Sequence, residues 1–573
     1  MDKNKNKYQS WSRDELILEI NKLKKNKKYG ISWDELVDNE IEPYSEYIPV
    51  IEDIKKNEIN YLNNENPNVL IEGDNFLSLN ILNYTHKNKI DLIYIDPPYN
   101  TGKKDEFKFN DKWIDENDNY RFSKWLSFMK KRLILAKELL KNTGVLLISI
   151  DDHMQAPLKL LCDDIFGHNN FVSNFIWRGG KRNASKHISI SHEYMLLYAK
   201  NLNTISEKKI SWKSKKKGIE NIYKHYNFLI KKYKNDHTTI SKYLKIWFKE
   251  LSNDDPSKDH QHYCWSDKKG IYFASDISRG GGGGGKWNVK NPITKENVQI
   301  PSRGWSFKNE AEMNTEIKKD KIHFNGKSVP CQKRYLKDME YELIDTVFYK
   351  DRRSASQKFK DMMGNVSFQN PKDHEIIKYM IECFCPEDGL VLDFFAGSGT
   401  TAQSVLELNN NKINRKFILC TNNENKICTE ICFPRISKII HGYKIKSKNV
   451  DGIKANLKYL KIKLLPYEKN DGNKFLITKR LSNIICLKEN TFNNIKSNSM
   501  FQIFKNNTKH TIIIFNESAI NQVKKEISKL SGVIKVYIYS LGNDLFEDEF
   551  EDNEKVYTET IPGPFISVCK DLN

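Results

Sequence analysis

The chain has 573 residues, with 93 Lys and Arg against 74 Asp and Glu and a formal net charge of +19 at pH 7. That length suits about two to four domains, and the charge favours a polyanionic partner such as nucleic acid, although a Lys-rich surface from an AT-rich genome reads the same way. No apolar run approaches the ~20 residues of a membrane span, and no signal peptide is visible. The ten Cys are scattered without a C-x-x-C pair or zinc spacing, so no metal site is expected. Cys383, Cys385, Cys428 and Cys432 are expected to pack, and the expected compartment is the reducing cytoplasm.

Residues 1–66 read as an N-terminal extension. Ser12-Arg13-Asp14-Glu15 can cap a helix carrying Leu16, Ile17, Ile20 and Leu23. A basic run, Lys24 to Lys28, precedes Tyr29-Gly30-Ile31-Ser32-Trp33. Asn68 to Ile71 forms a short strand that ends at Gly73-Asp74, and Asp74 either caps the helix from Phe76 to Leu82 or reaches a ligand. The next apolar run, Asp91 to Ile95, ends at Asp96-Pro97-Pro98-Tyr99. Residues 103–119 are polar and read as a mobile loop. From Tyr120 to Lys141 the spacing is helical, with Trp125 and Met129 read as core. Gly144 ends that helix, Val145 to Ile150 is a strand, and Asp151 either supports a pocket or caps the helix from His153 to Phe166.

Strands at Phe175–Trp177 and Glu193–Lys200 flank a basic loop, Arg178 to Lys186, placed to touch phosphates. The character changes from about 201 to 365. Residues 201–250 carry 13 Lys against 4 acids, interleaved with Trp212, Tyr223, Tyr226, Tyr233, Tyr243 and Trp247. This reads either as a nucleic-acid surface or as a helical pair with an aromatic seam. Gly280 to Gly285 is an uninterrupted glycine run; it either lets backbone approach DNA closely or is a flexible loop. Phe368 to Lys372 opens the return to an α/β pattern, followed by a helix from His374 to Cys383. Residues 446–573 read as a small α/β domain with strands Thr511–Phe515 and Val533–Tyr539 around a helix Ala519–Leu530. Its acidic stretch Asp544 to Glu554 argues against DNA contact there.

Two stretches carry chemistry. Ligands of open α/β sheets bind beyond the carboxyl ends of strands, which is where Asp96 and Tyr99 fall. A carboxylate can accept a hydrogen bond from a planar amino group. The prolines remove backbone donors and leave carbonyls to accept, and the Tyr ring offers a stacking face. Together these suit an exocyclic amine on an aromatic ring. Far downstream, Val391-Leu392-Asp393-Phe394-Phe395-Ala396-Gly397-Ser398-Gly399-Thr400-Thr401 is an apolar strand entering a Gly-rich turn and a helix. It is neither the dinucleotide fingerprint nor a phosphate loop.

The F-x-G-x-G turn resembles the S-adenosylmethionine loop of methyltransferases. The two motifs, in this order, resemble the β-class amino-methyltransferases of DNA, in which a target-recognition domain lies between them. Tyr29 to Trp33, the Glu193–Lys200 run, the Tyr272–Trp305 region and Ile561-Pro562-Gly563-Pro564 are similar to segments of type III restriction–modification Mod subunits.

The resemblance implies a Rossmann-like α/β core with an inserted recognition domain and a small α/β C-terminal domain. The expected boundaries are 1–66, 67–200 (catalytic half), 201–365 (recognition), 366–445 (cofactor half) and 446–573. It implies S-adenosylmethionine held by Asp74, Lys372, Asp393, Phe395, Gly397, Ser398, Gly399 and Thr400. Lys372 also reads as a simple surface lysine. Glu424, the acid nearest the end of the strand Arg415–Cys420, falls a few positions late for the ribose. It implies catalysis by Asp96, Pro97, Pro98 and Tyr99: a flipped adenine stacks on Tyr99 and its N6 donates to Asp96 and the Pro97 carbonyl. Asp at the first motif position favours adenine over cytosine. The implied partners are double-stranded DNA, a restriction (helicase–nuclease) subunit and a second copy of the chain. A solitary methyltransferase and a catalytically inactive DNA-binding module are the alternatives.

Overall fold

A computed structural model describes residues 11–17, 47–62, 66–102, 108–109, 112–114, 116–180, 187–351, 353–364, 366, 368, 370–409, 413–446, 448–466, 477–478, 480–540, 546–551 and 553–571. The basic run at 24–28, the Tyr29–Trp33 fragment, Ile20, Leu23, Gln369, residues 103–107 and the basic loop at 181–186 lie outside the described residues.

Ten strands build one sheet: β1 (Tyr47–Asp53), β2 (Asn68–Glu72), β3 (Ile90–Ile95), β4 (Leu140–Ile150), β5 (Phe171–Arg178), β6 (His192–Ala199), β7 (Val347–Tyr349), β8 (Leu390–Asp393), β9 (Lys416–Thr421) and β10 (Leu457–Pro466). Their spatial order is β1-β10-β2-β9-β8-β3-β4-β6-β5-β7. The run from β10 to β4 is parallel throughout. β6 is antiparallel to both β4 and β5. All six residues of β3 are buried. From Leu92 to Ile95 it therefore shows a continuous apolar run rather than alternation, as a strand covered on both faces must.

Helices α1 (Asn75–Thr85), α2 (Arg121–Leu139), α3 (Gln155–Phe166), α4 (His374–Phe384), α5 (Thr400–Asn409) and α6 (Phe433–His441) accompany the sheet. On α2 most of the expected face is buried: Trp125, Met129, Leu133 and Ala136 are fully buried, whereas Phe122, expected on the same face, is exposed. Large apolar side chains so placed contribute roughly 1.5–3 kcal/mol each.

The central strands meet across a long gap in sequence. Val391 lies opposite Leu92 and Leu392 opposite Ile93. From β3 the chain moves outward to β4, and from β8 it moves outward to β9 in the other direction. The order of strands therefore reverses between β8 and β3, which opens a crevice at their carboxyl ends.

The chain divides into two compact units, residues 1–210 with 345–573, and residues 211–344. The helix Leu202–Glu207 and β7 thus stand outside the second unit, which is narrower than the 201–365 segment. The second unit contains a four-stranded antiparallel sheet of Trp265–Asp267, Gly270–Asp276, Cys331–Tyr335 and Ile322–His323 in that order. Its helices Ile219–Lys232 and His237–Glu250 pack through Ile222, Leu229, Ile240 and Leu244. His225 stacks on Trp247 at 4.4 Å and Tyr233 on Tyr243 at 4.7 Å. These aromatics form the seam of a helical pair.

The end of the glycine run is tied to a neighbouring backbone segment. Gly284 N–H donates to the Arg303 carbonyl at 3.0 Å, and Trp305 N–H to the Gly285 carbonyl at 2.9 Å. A Cβ on Gly284 would lie 2.5 Å from the Trp305 carbonyl oxygen, so two backbones meet there at a distance only glycine permits.

In the first unit, β1 forms the sheet edge against β10, so part of the N-terminal extension completes the core. Leu457–Leu460, read from sequence with the C-terminal module, likewise lies in β10 of the main sheet. The C-terminal residues add a five-stranded sheet ordered Asn493–Ser497, Phe501–Lys505, Lys509–Ile514, Val533–Tyr539 and Val556–Ile561. The helix Ile520–Ile527 buries Val523 and Ile527 against it. Near the amino end, Ser12 Oγ accepts from Glu15 N–H at 3.3 Å while a Glu15 carboxylate oxygen accepts from Ser12 N–H at 2.7 Å. That is the reciprocal cap its sequence allows. No helix among the described residues is long and apolar enough to cross a membrane.

Candidate active site

Asp96 follows the last residue of β3 and begins the turn Asp96–Tyr99. Its side chain is 28% exposed and faces the Lys372 ammonium at 3.2 Å. Lys372 Nζ also donates to Glu193 at 2.7 Å and to the Tyr99 hydroxyl. The Tyr99 hydroxyl in turn donates to the same Glu193 oxygen at 3.3 Å. Two carboxylates, one ammonium and one phenol thus meet at the crevice. Burial pushes the Asp96 carboxyl up, Lys372 opposes that shift and Glu193 adds to it. For Lys372, burial works against the charge, but Asp96 and Glu193 outweigh it and hold its pKa above the usual lysine value. Burial, then Asp96 and Glu193, drive the Tyr99 phenol well above its ordinary range, so it stays a donor at neutral pH.

The prolines leave carbonyls available to accept, and one of them is used internally. The buried Trp125 indole donates to the Pro98 carbonyl at 2.7 Å. A residue read as core therefore also props the turn, and the Pro98 carbonyl is committed to it. Beyond Tyr99, Asn100 is buried with φ +56° and Gly102 has φ +78°, which bends the chain sharply away from the sheet.

The Gly-rich turn follows β8. Asp393 is 2% exposed; one carboxylate oxygen accepts from Phe395 N–H at 3.0 Å and the other from the Thr401 hydroxyl at 2.5 Å. It thereby ties the strand end to the start of α5. Burial raises its pKa to about 7, against the pull of those two donors. A carboxyl raised in the folded state contributes stability that is present below its unfolded value and lost as pH rises through the folded one. Wild type should therefore lose stability relative to Asp393→Asn between the ordinary carboxyl value of 3.8 and about 7, read from thermal unfolding across pH.

Gly397 has φ +48° and Gly399 φ +79°. A Cβ on Gly397 would meet nothing nearer than Phe368 at 3.7 Å, whereas one on Gly399 would press on the Cys432 sulfur at 3.1 Å. The first glycine therefore leaves an open approach to backbone, and the second is a packing contact. The hydroxyls of Ser398 and Thr400 turn inward. Each accepts from Arg435 Nη1 at 2.9 Å. The same guanidinium donates to Gln403 Oε1 at 3.0 and 2.7 Å. Arg435 is 3% exposed, and burial lowers its pKa to about 10, so it remains a cation near neutrality.

The remaining sequence-derived candidates fall as follows. Asp74 caps α1, accepting from Phe76 N–H at 2.8 Å and Leu77 N–H at 3.2 Å, and lies 3.5 Å from the buried Arg132 guanidinium. Phe395 is partly buried, with its ring 6.0 Å from that of Phe128. Glu424 is exposed in a turn where Asn425 and Lys426 have positive φ. Lys372, read beside the cofactor loop, pairs with the Asp96–Tyr99 turn. Asp151 accepts from His153 N–H at 3.0 Å, a local turn contact. His374, Glu375 and Glu407 gather within 4.8 Å, but Lys378 reaches both carboxylates at 3.4 and 3.1 Å and balances them.

Sequence reasoning missed Glu193 and Arg435. Glu193 carried a legible signal. It is the second residue of β6, and because β6 runs antiparallel, its first residues lie at the carboxyl ends of the parallel strands, with Tyr194 opposite Ile150. Arg435 sits beside Ile436 on the buried face of α6, with Ile439 and Ile440 a turn on, so a charge in an apolar stripe was the available sign.

The sequence profile of a DNA methylase family, N6_N4_Mtase, matches residues 90–275 and 282–433. The chain is 33% identical over 385 residues to the type III restriction-modification enzyme EcoP15I Mod subunit of Escherichia coli, over 62% of this chain and 58% of that protein. It is 32% identical over 386 residues to the StyLTI Mod subunit of Salmonella typhimurium, over 63% of this chain and 53% of the relative. It is 30% identical over 413 residues to the Type II methyltransferase M.KpnI of Klebsiella pneumoniae, over 69% of this chain and 90% of the relative. The chain thus spans less than two thirds of the length of these two Mod subunits.

Proposed function

The chain belongs to the DNA methylase family, and from that premise we propose that it transfers a methyl group from S-adenosylmethionine to N6 of adenine in double-stranded DNA, as the modification subunit of a type III restriction–modification system. The observation that carries this reading is the pairing of β3 with β8, which brings the Asp96–Tyr99 turn and the Gly397–Gly399 turn to one crevice from opposite ends of the sequence.

The Gly-rich turn fits the cofactor. Its approach at Gly397 is open, and Asp393 and Arg435 hold the loop from behind. Phe395 and the backbone at Gly397 would line the cofactor's place, and the bound sulfonium would supply an electrophilic methyl group. Every other task falls to the chain. The target base must leave the stack, because its amino group is inaccessible within a duplex. Tyr99, pinned at its hydroxyl by Glu193 and Lys372, keeps its ring at the crevice for the base to stack on. The Asp96 carboxylate and the Pro97 carbonyl accept from N6 and draw electron density onto that nitrogen. Positioning and placed acceptors of this kind account for several kcal/mol of barrier lowering. The basic surface of the chain gathers the phosphate backbone, with a strong salt dependence. The 211–344 unit reads the target sequence.

The experiment is methyl transfer from labelled S-adenosylmethionine to mixed-sequence DNA, followed by nucleoside analysis. N6-methyladenine is the expected product. N4-methylcytosine would overturn the base assignment, and unmethylated DNA from cofactor-binding protein would overturn the activity. A second reading, a methyltransferase acting without a restriction subunit, is favoured by the match to nearly the whole of a type II methyltransferase. Co-purification with the product of a neighbouring helicase–nuclease gene separates the two, and light scattering tests the homodimer that the subunit reading carries.

A further inference from the structure

Lys372 is the residue whose position the proposed chemistry leaves unexplained. It stands just ahead of α4, in the half of the core that carries the Gly-rich turn, yet its ammonium lies among the groups of the catalytic turn. Its side chain is 12% exposed and that of Glu193 15%. An ammonium buried to that degree remains charged only where carboxylates hold it. Two do so from different elements, Asp96 at 3.2 Å from the end of β3 and Glu193 at 2.7 Å from the start of β6.

The cation is therefore shared. Asp96 is a strong, charge-assisted acceptor for the target amine only while ionised, and its burial favours the protonated form. The nearest positive charge, Lys372 at 3.2 Å, favours the ionised form against that burial. The second carboxylate draws on the same charge.

We propose that Lys372 is a positioning residue that keeps Asp96 ionised, and that Glu193 tempers it by claiming the same ammonium, so that the pair sets the pH range over which the turn can accept from the target amine. This rests on the methyl-transfer reading above. The other titratable groups facing Asp96 are Tyr94 and Tyr99 on its own segment and Asp393 at the end of β8. Both phenols are raised well above neutrality, mainly by burial. Asp393 is buried beneath its own donors from Phe395 and Thr401. The Lys372–Glu193 pair is thus the adjustable part of the field at Asp96.

The two partners make opposite predictions. Lys372→Met removes the cation, and the acid limb of the kcat–pH profile should move to higher pH by on the order of one unit. Glu193→Gln removes the competitor, and the limb should move to lower pH. Lys372→Arg should bring it back towards wild type. Full-length protein is assayed at saturating DNA and S-adenosylmethionine from pH 5 to 9. Limbs that coincide with wild type, or that move the same way in both variants, overturn the proposal, because loss of packing alone scales the profile without displacing it. If Lys372→Met does not fold, Glu193→Gln decides alone: a downward shift supports the proposal and an unmoved limb overturns it. If wild type transfers no methyl group, the functional reading fails separately. The carboxyl infrared band that Asp96→Asn removes, followed across pH, then shows the same opposite shifts or overturns the proposal.

Discussion

Replacing Asp96 by alanine is expected to slow methyl transfer by about 10²- to 10³-fold or more while S-adenosylmethionine still binds. The carboxylate is set by the end of a fully buried strand, so its position owes nothing to the substrate. Removing it leaves Lys372 paired with Glu193 at 2.7 Å, so no buried cation is orphaned and the fold should survive. The loss should therefore fall on the chemical step. Single-turnover rates with saturating DNA measure it, and calorimetric titration of the cofactor checks that the other half of the crevice is intact. An Asp96→Ala protein that keeps more than a tenth of the wild-type rate would remove Asp96 from the reaction.

The largest structural effect is expected at Arg435. Its guanidinium joins the Ser398 and Thr400 hydroxyls to Gln403, all in the interior. Arg435→Met keeps the length and the packing but removes the donor to four buried acceptors: the Ser398 hydroxyl and carbonyl, the Thr400 hydroxyl and Gln403 Oε1. Each buried group left so costs about 1–3 kcal/mol, so a loss of roughly 3 kcal/mol or more is expected, seen as a fall in Tm of several degrees. Cofactor affinity should fall with it, because the loop that Ser398 anchors is the one presented to the cofactor. Arg435→Lys should recover little, since a single ammonium cannot reproduce a planar fork spanning two acceptor sets. A Met variant with wild-type Tm and affinity would show that the network is incidental.

Strands β3 and β8 were legible in the sequence because fully buried parallel strands are short apolar runs that stop at turn residues. Both candidate turns were found for that reason. Asp74 and Asp151 were legible only as alternatives, because one carboxylate after a strand suits a cap and a ligand site equally. Only the hydrogen bonds to Phe76 and His153 show their local work. The aromatics of 201–250 were ambiguous for a similar reason: stacking on a base and stacking on a neighbouring helix use the same ring. Glu193 and Arg435 were missed because their roles depend on partners about 180 and 35 residues away in the chain, which periodicity does not encode. The acid after β9 is exposed at Glu424, and the acid that ends β2, Glu72, is taken by Tyr459 at 2.5 Å and Lys461 at 2.6 Å.

The adjacency of β3 and β8 also sets a schedule for biogenesis. β3 leaves the ribosome roughly 300 residues before its central neighbour, an interval of about 15–60 seconds at ordinary synthesis rates of ~5–20 residues per second. During that time the nascent sheet carries β3 and β4 with one open, apolar edge where β8 will later dock. The whole 211–344 unit is synthesised within the interval. Products that terminate before residue 390 would therefore carry an uncapped central strand and should be sticky rather than merely inactive. Vectorial synthesis thus makes the last third of the chain the step that closes the core.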